Sequence, residues 1–337
     1  MNFKKLLPAF LRHRLGKLKR YFLRRKGIRE YLAWADHPGV VSGNCPGTEL
    51  FKKYIRVVHL EIDRFCNRRC VYCANHKIPG RREHSVMPDK LFEKCLSELR
   101  DISYNGYIEF NGFNEPLADV PLVLKRIKSL KLALPECRLL INSNADYLNQ
   151  DLLNTLAAAG VDYMMITLHL NENEFHLNDE QRLQKFNMFA ARLPACTFAY
   201  DPSMEVWSFK HPDGLSMIVR VSDFCVVGHN FAGCAGKKIK RRVPCFVPLV
   251  HCYIDYSGRI AFCCSANLDA QLCAPLIAGD ENSSTMFDVF ASKKTMELRH
   301  KLLNAKNMPA CCQVCDAQID YPVDKNFQRN PYYPFFE

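Results

Sequence analysis

The sequence predicts an α/β protein in which a parallel sheet, open or barrel-like, is followed by a smaller cysteine-rich domain. Two observations carry this. Strand-like runs alternate with helical patterns up to about residue 236, and from about Lys237 the pattern changes to short strands, loops and cysteines. The 337 residues suffice for one large domain and a smaller one.

Strand-like runs fall at Val57–Ile62, Tyr107–Asn111, Arg138–Ile141, Tyr163–Leu168 and Met217–Val221. Helical patterns fall between them at Asp89–Asp101, Val120–Ala133, Asn149–Ala159 and Glu180–Leu193. Strands separated by helices imply parallel pairing with the helices outside the sheet. The chain divides into a basic arm and linker (1–50), an α/β core (51–236) and a C-terminal domain (237–337).

Composition narrows the class. About half of the residues are apolar and a quarter charged, an ordinary globular balance. No run approaches the ~18 apolar residues that cross a bilayer, and basic residues interrupt every apolar stretch near the N-terminus, unlike a secretory signal. The net charge is +11. Residues 1–29 hold Lys4, Lys5, Arg12, Arg14, Lys17, Lys19, Arg20, Arg24, Arg25, Lys26 and Arg29 and no acid, so the remainder is neutral. The body is therefore not a nucleic-acid surface by composition. Within the arm, Leu11, Leu15, Leu18 and Phe22 form a helical stripe between basic residues, with Pro8 at its start and Gly27 at its end. Such a helix either rests on an anionic membrane or partner, or packs on the body with its basic face in solvent.

Seventeen cysteines in a chain of this size, several at metal-ligand spacings, indicate a reducing, cytoplasmic setting with thiolates as ligands or core residues. The first cluster is Cys66-Asn-Arg-Arg-Cys70-Val-Tyr-Cys73, directly after the first strand. Three thiolates on one loop suit three irons of a cubane and leave the fourth iron open. Zinc would need a further ligand, for which His76 is the candidate. The C-x3-C-x2-C spacing, the aromatic Tyr72 and the position after a first strand resemble the radical S-adenosylmethionine (SAM) superfamily.

That resemblance implies a partial (β/α)6 barrel, a SAM-ligating [4Fe-4S] cluster on Cys66, Cys70 and Cys73, and an external flavodoxin- or ferredoxin-like electron donor. SAM would chelate the open iron and be cleaved reductively to a 5′-deoxyadenosyl radical. Asn111-Gly-Phe-Asn-Glu115-Pro116 resembles the family's Gly-Gly-Glu-Pro element, which receives the SAM ammonium, with its second Gly replaced and one residue inserted. It makes Glu115 and Asn114 candidate SAM contacts; the alternative is a carboxylate capping the next helix. Asn142-Ser143-Asn144 stands where the family has a ribose- and carboxylate-contacting turn, making Ser143 and Asn144 candidates beside a plain turn. Thr167 and His169 end the next strand on the rim that carries ligands in barrels.

The second cluster comprises Cys245, the segment from Cys252 through Gly258 to Cys263 and Cys264, and Cys311-Cys312-Gln-Val-Cys315. A hairpin at Gly258 would bring Cys245 and Cys263 together, and Cys312 and Cys315 complete four soft ligands, suited to zinc or to a cluster. Their order, with His229–Gly233 upstream, resembles the SPASM/twitch extension of radical SAM enzymes. It implies an auxiliary [4Fe-4S] cluster on Cys245, Cys263, Cys312 and Cys315. No cysteine follows Cys315, which fits the one-cluster twitch form.

Two clusters of this kind imply hydrogen abstraction from carbon followed by one-electron transfer. The expected activity is oxidation or epimerisation of a small sugar- or aminocyclitol-like substrate. A same-fold alternative modifies a ribosomally made peptide, and an alternative of another class is a non-catalytic zinc protein tethered to nucleic acid by its arm. The arm's interleaved Leu and Phe argue against nucleic acid.

Overall fold

The computed structural model describes residues 47–70, 72–73, 84–170, 176–202, 205–221, 240–241, 245, 247–261, 263, 273–275, 284–303 and 307–315. The basic arm, His76, the 229–233 segment and Cys264 lie outside these residues.

The chain enters through α1 (Gly47–Tyr54) and β1 (Val57–Leu60), whose four residues are all buried. Strand and helix then alternate: α2 (Asp89–Asp101), β2 (Tyr107–Glu109), α3 (Val120–Ala133), β3 (Arg138–Ser143), α4 (Gln150–Ala158), β4 (Tyr163–Leu168) and α5 (Asp179–Ala190). The helices start where side chains cap their unpaired amides. Asp119 accepts from Leu122 N at 3.0 Å, Asn149 from Leu152 N at 2.9 Å, and Asn178 with Gln181 forms a capping box. Next come β5 (Ala199–Asp201), β6 (Val206–Lys210) and β7 (Ser216–Val221). The C-terminal part holds α6 (Val247–Val250), β8 (His251–Ile254), β9 (Arg259–Ala261), β10 (Cys273–Pro275), α7 (Met286–Ala291), α8 (Lys293–Leu303) and α9 (Ala310–Gln313).

The ten strands among the described residues join one sheet in the order β10-β9-β8-β1-β2-β3-β4-β7-β6-β5. The central run β8-β1-β2-β3-β4-β7 is parallel throughout, and antiparallel hairpins finish both edges. Among the described residues the two ends of this order are not paired with each other, so the six parallel strands form a partial barrel. Parallel neighbours put all the strand C-termini, and the loops that follow them, at one end. Ligands sit at that end in sheets of this kind.

Two features depart from the sequence reading. The β5–β6 hairpin was not expected. Its aromatic residues reach back to α5, with Trp207 stacked on Phe186 at 4.1 Å between centroids. The hairpin at Gly258 does form, with φ +82° at the glycine, yet its first strand is not confined to the C-terminal domain. β8 pairs in parallel with β1, Val57 opposite His251 and Leu60 opposite Ile254. A boundary near residue 236 therefore does not separate two sheets.

The two ends of the described chain are also packed together. Phe51 of α1 meets Phe287 and Phe290 of α7 edge-on at 5.1 and 5.3 Å. Gly47 permits this approach, because a Cβ there would stand 2.4 Å from the Phe287 carbonyl oxygen. Gly112 plays the same part after β2, where a Cβ would lie 2.3 Å from the Tyr253 hydroxyl of β8.

Candidate cluster and cofactor site

The cysteine loop leaves β1 at the C-terminal end of the sheet and is tied down on both sides. Arg64 N donates to Ser85 O at 3.0 Å and Met87 N to Ile62 O at 2.8 Å, so the returning chain runs beside the loop's entry. On the other side Asp146, just beyond β3, accepts from Asn67 Nδ2 and Arg68 Nε, both at 2.7 Å. Asn144 Nδ2 adds a bond to Asn67 Oδ1 at 2.8 Å. Cys73 N donates to Cys70 O at 2.9 Å, closing the turn between the last two cysteines.

Cys66, Cys70 and Cys73 are half-buried in this loop. Burial pushes the Cys66 thiol up to about 12 and raises that of Cys70. This is the environment of a thiol that a cationic partner would deprotonate rather than of an exposed nucleophile. The donor set is purely thiol, which suits iron–sulfur chemistry.

Glu115 lies beside the loop, 2 % exposed. Its backbone N donates to Phe65 O at 2.7 Å, one residue before Cys66. Its carboxyl accepts from Ser143 Oγ and Asn144 N, both at 2.7 Å, and from Leu117 N at 3.2 Å. Burial nonetheless pushes the carboxyl up to about 7, against the effect of those donors. Glu115 also caps the short helical turn Pro116–Ala118, as the capping alternative expects. Ser143 and Asn144 are thus gathered with Glu115. Asn114 is turned to its own loop, accepting from Gly112 N at 2.9 Å and donating to Phe110 O at 3.3 Å. Thr167 Oγ1, on the next strand end, accepts from Arg220 Nε of β7 at 3.0 Å. Tyr72 reaches His169, hydroxyl oxygen to Nδ1 at 3.2 Å, and burial lowers the His169 imidazole to about 3.

Below this rim the sheet turns a connected set of polar side chains to one face. His251 Nδ1 lies 2.9 Å from His59 Nε2, and His59 Nδ1 lies 3.1 Å from Glu109 Oε2. Asn142 Nδ2 donates to the other Glu109 oxygen. Glu61 accepts from Phe113 N at 2.8 Å. These residues come from β8, β1, β2 and β3 or from the loop just beyond β1. Burial holds both imidazoles neutral, lowering His59 to about 4. Sequence reasoning passed over this row, because each residue alone reads as an ordinary strand residue. The signal lay in the register that joins distant strands.

The second cysteine set also converges. Cys245, Cys263 and Cys312 share one small core with Val247, Leu302 and Met308, and Cys315 packs against Cys311 at its side. Each of the four expected ligands lies within electrostatic reach of another of them. Cys245 is fixed by its N to Leu302 O at 3.0 Å, and Cys315 N turns back to Cys312 O at 3.4 Å. Cys311 Sγ stands 3.9 Å from Cys312 Sγ. Cys252 lies in β8 within the main core, apart from this set.

Comparison with known proteins agrees with both halves of this arrangement. The Radical SAM superfamily profile matches residues 60–190, and the SPASM iron–sulfur cluster-binding domain profile matches residues 245–316. The two domains imply SAM and [4Fe-4S] clusters as cofactors. The chain is 29 % identical over 117 residues to an S-adenosyl-L-methionine-dependent 2-deoxy-scyllo-inosamine dehydrogenase of Niallia circulans, covering 35 % of this chain and 46 % of that protein. It is 24 % identical over 123 residues to the FeMo cofactor biosynthesis protein NifB of Klebsiella pneumoniae, covering 35 % of this chain and 26 % of that one. These matches span less than half the length of either relative. Among solved structures, BtrN in complex with AdoMet and 2-DOIA superposes with a TM-score of 0.58 at 19 % identity, over 79 % of this chain and 98 % of that one. Residues 60–190 are a radical SAM superfamily domain, and a SPASM-type iron–sulfur domain follows it at residues 245–316.

Proposed function

We propose that this protein abstracts a carbon-bound hydrogen from a small polyhydroxylated molecule of the sugar or aminocyclitol class and oxidises or epimerises that centre. The observation that carries the substrate class is the buried row His251, His59, Glu109 and Asn142 beneath the cysteine loop. Such a face, polar and bonded within itself, accommodates hydroxyl and amino groups better than apolar ones. The likeness to a protein named as an inosamine dehydrogenase favours the same class.

Cys66, Cys70 and Cys73 hold the SAM-binding cluster in this reading, and Cys245, Cys263, Cys312 and Cys315 hold one auxiliary cluster. Bound there, SAM and the clusters supply a hydrogen-abstracting 5′-deoxyadenosyl radical and a one-electron acceptor. Glu115 receives the SAM ammonium, while Ser143 and Asn144 fix the orientation of its carboxylate through their hydrogen bonds. Asn114 shapes the loop that presents Glu115. Thr167, set by Arg220, borders the cofactor on the next strand end. A flavodoxin- or ferredoxin-like donor supplies the first electron.

Anaerobic turnover with carbon-deuterated aminocyclitols and sugars tests the reading. Deuterium appears in 5′-deoxyadenosine together with an oxidised or epimerised product. Reconstituted protein carries about two cubanes per chain, and alanine at Cys245, Cys263, Cys312 and Cys315 removes one of them. That variant still cleaves SAM but forms no oxidised product. Deuterium transfer only from a precursor peptide, or zinc in the quartet, would falsify the proposal.

The arm completes the proposal as a foot on an anionic membrane. Each basic residue contributes roughly 1 kcal/mol there, and each inserted apolar side chain up to about 1.5–3 kcal/mol. Among the described residues no helix is long and apolar enough to cross a membrane. Anionic liposomes pellet the full-length protein but neither a form lacking residues 1–29 nor the Leu15→Asp/Leu18→Asp form; equal behaviour of all three removes this role.

A further inference from the structure

We propose that Arg241 sets the reduction potential of the auxiliary cluster, holding it high enough to accept an electron from the substrate. The inference rests on the reading that Cys245, Cys263, Cys312 and Cys315 carry that cluster.

Arg241 is 8 % exposed, which is rare for a guanidinium without a specific role. It is anchored to the C-terminal cysteine turn at two points. Its backbone N donates to Gln313 O at 2.7 Å, and its Nη1 donates to Cys315 O at 3.3 Å. Gln313 lies between Cys312 and Cys315, so both bonds fasten Arg241 to the loop carrying two of the four thiols. The guanidinium is therefore held at the turn that carries Cys312 and Cys315. Cys245, a third expected ligand, follows Arg241 closely in the chain.

A fixed cation in a desolvated site favours whichever cluster state carries more negative charge. Reducing the cluster by one electron adds one negative charge, so Arg241 stabilises the reduced form and raises the potential. In oxidation of a carbinol, one hydrogen atom leaves with the deoxyadenosyl group, one proton leaves the hydroxyl and one electron must reach an acceptor. A buried arginine beside the acceptor favours that last transfer. Lysine would retain the charge but not the planar fork.

The test is an EPR-monitored redox titration of the fully reconstituted full-length protein, reading the cluster whose signal does not respond to SAM. Arg241→Gln and Arg241→Met remove the charge with different packing, and Arg241→Lys retains it. At a fixed potential, the reduced-to-oxidised ratio falls at least tenfold in either neutral variant, equivalent to 59 mV for one electron. It stays within about threefold in Arg241→Lys, since tenfold is 59 mV and threefold about half of that. A wild-type potential in a neutral variant with its iron intact overturns the role of Arg241 and leaves the cluster assignment standing. Loss of iron from both neutral variants, with iron retained in Arg241→Lys, makes Arg241 an assembly residue and also overturns it. A wild-type protein with no second cluster overturns the cluster reading and this inference together.

Discussion

Replacing Cys66, Cys70 and Cys73 together with alanine abolishes SAM cleavage and removes about half of the cluster iron, while the auxiliary cluster persists. The loss is chemical rather than a collapse of the fold. The bonds that tie the loop to the rest of the sheet run from Asn67 and Arg68 to Asp146, and from Glu115 N to Phe65 O, and they do not depend on a cysteine sulfur. Thermal unfolding without iron therefore changes by no more than a few degrees, about what 1 kcal/mol moves in a domain of this size. The check is 5′-deoxyadenosine by chromatography beside iron and sulfide counts. Undiminished 5′-deoxyadenosine from the triple variant removes these cysteines from the active site.

The second large effect is at Glu115, where two substitutions separate support from binding. Glu115→Ala leaves Asn144 N, Ser143 Oγ and Leu117 N without their acceptor in a buried place. Each lost partner costs about 1–3 kcal/mol, so the variant loses several kcal/mol in denaturant titration. Glu115→Gln keeps an acceptor for some of these donors and loses the charge, so it stays closer to wild type in stability and binds SAM at least tenfold more weakly. The pH dependence carries the distinguishing sign. Burial pushes the unliganded carboxyl up to about 7, so below neutrality the protonated form predominates and offers an ammonium no opposite charge. SAM affinity of the reconstituted wild type rises with pH through about 7 and then levels, while Glu115→Gln shows no such rise. A parallel profile in both proteins would assign the ammonium to another residue.

The parts of this molecule legible in its sequence were those governed by local periodicity or short spacing. Helices Asp89–Asp101 and Val120–Ala133 have the bounds their patterns imply, because their buried faces repeat at helical spacing. The Cys66 loop and the Gly258 turn were legible for the same local reason. What stayed hidden depends on pairing between distant segments. His251-Cys-Tyr-Ile254 reads equally well as part of a small hairpin or as a central strand, and only its register on β1 decides. The His59–His251 contact follows from that register. The β5–β6 hairpin was obscured because its aromatic residues are half-exposed and pack on α5 rather than alternating cleanly between core and solvent. Asp146, which fastens the cysteine loop, sits in an exposed turn that nothing local marks as important.

The place of β8 beside β1 has a consequence for biosynthesis. Their contacting histidines are 192 positions apart in the chain, and translation at about 5–20 residues per second separates them by roughly 10–40 s. Throughout that interval β1 has its β2 side available for pairing and its other edge bare, with hydrophobic Val58 and Leu60 in the same strand. A bare edge on a nascent sheet recruits other chains, and a contact of such long range closes late. Yield of native protein should therefore depend on holdase chaperones during expression, more than on the stability of the finished barrel.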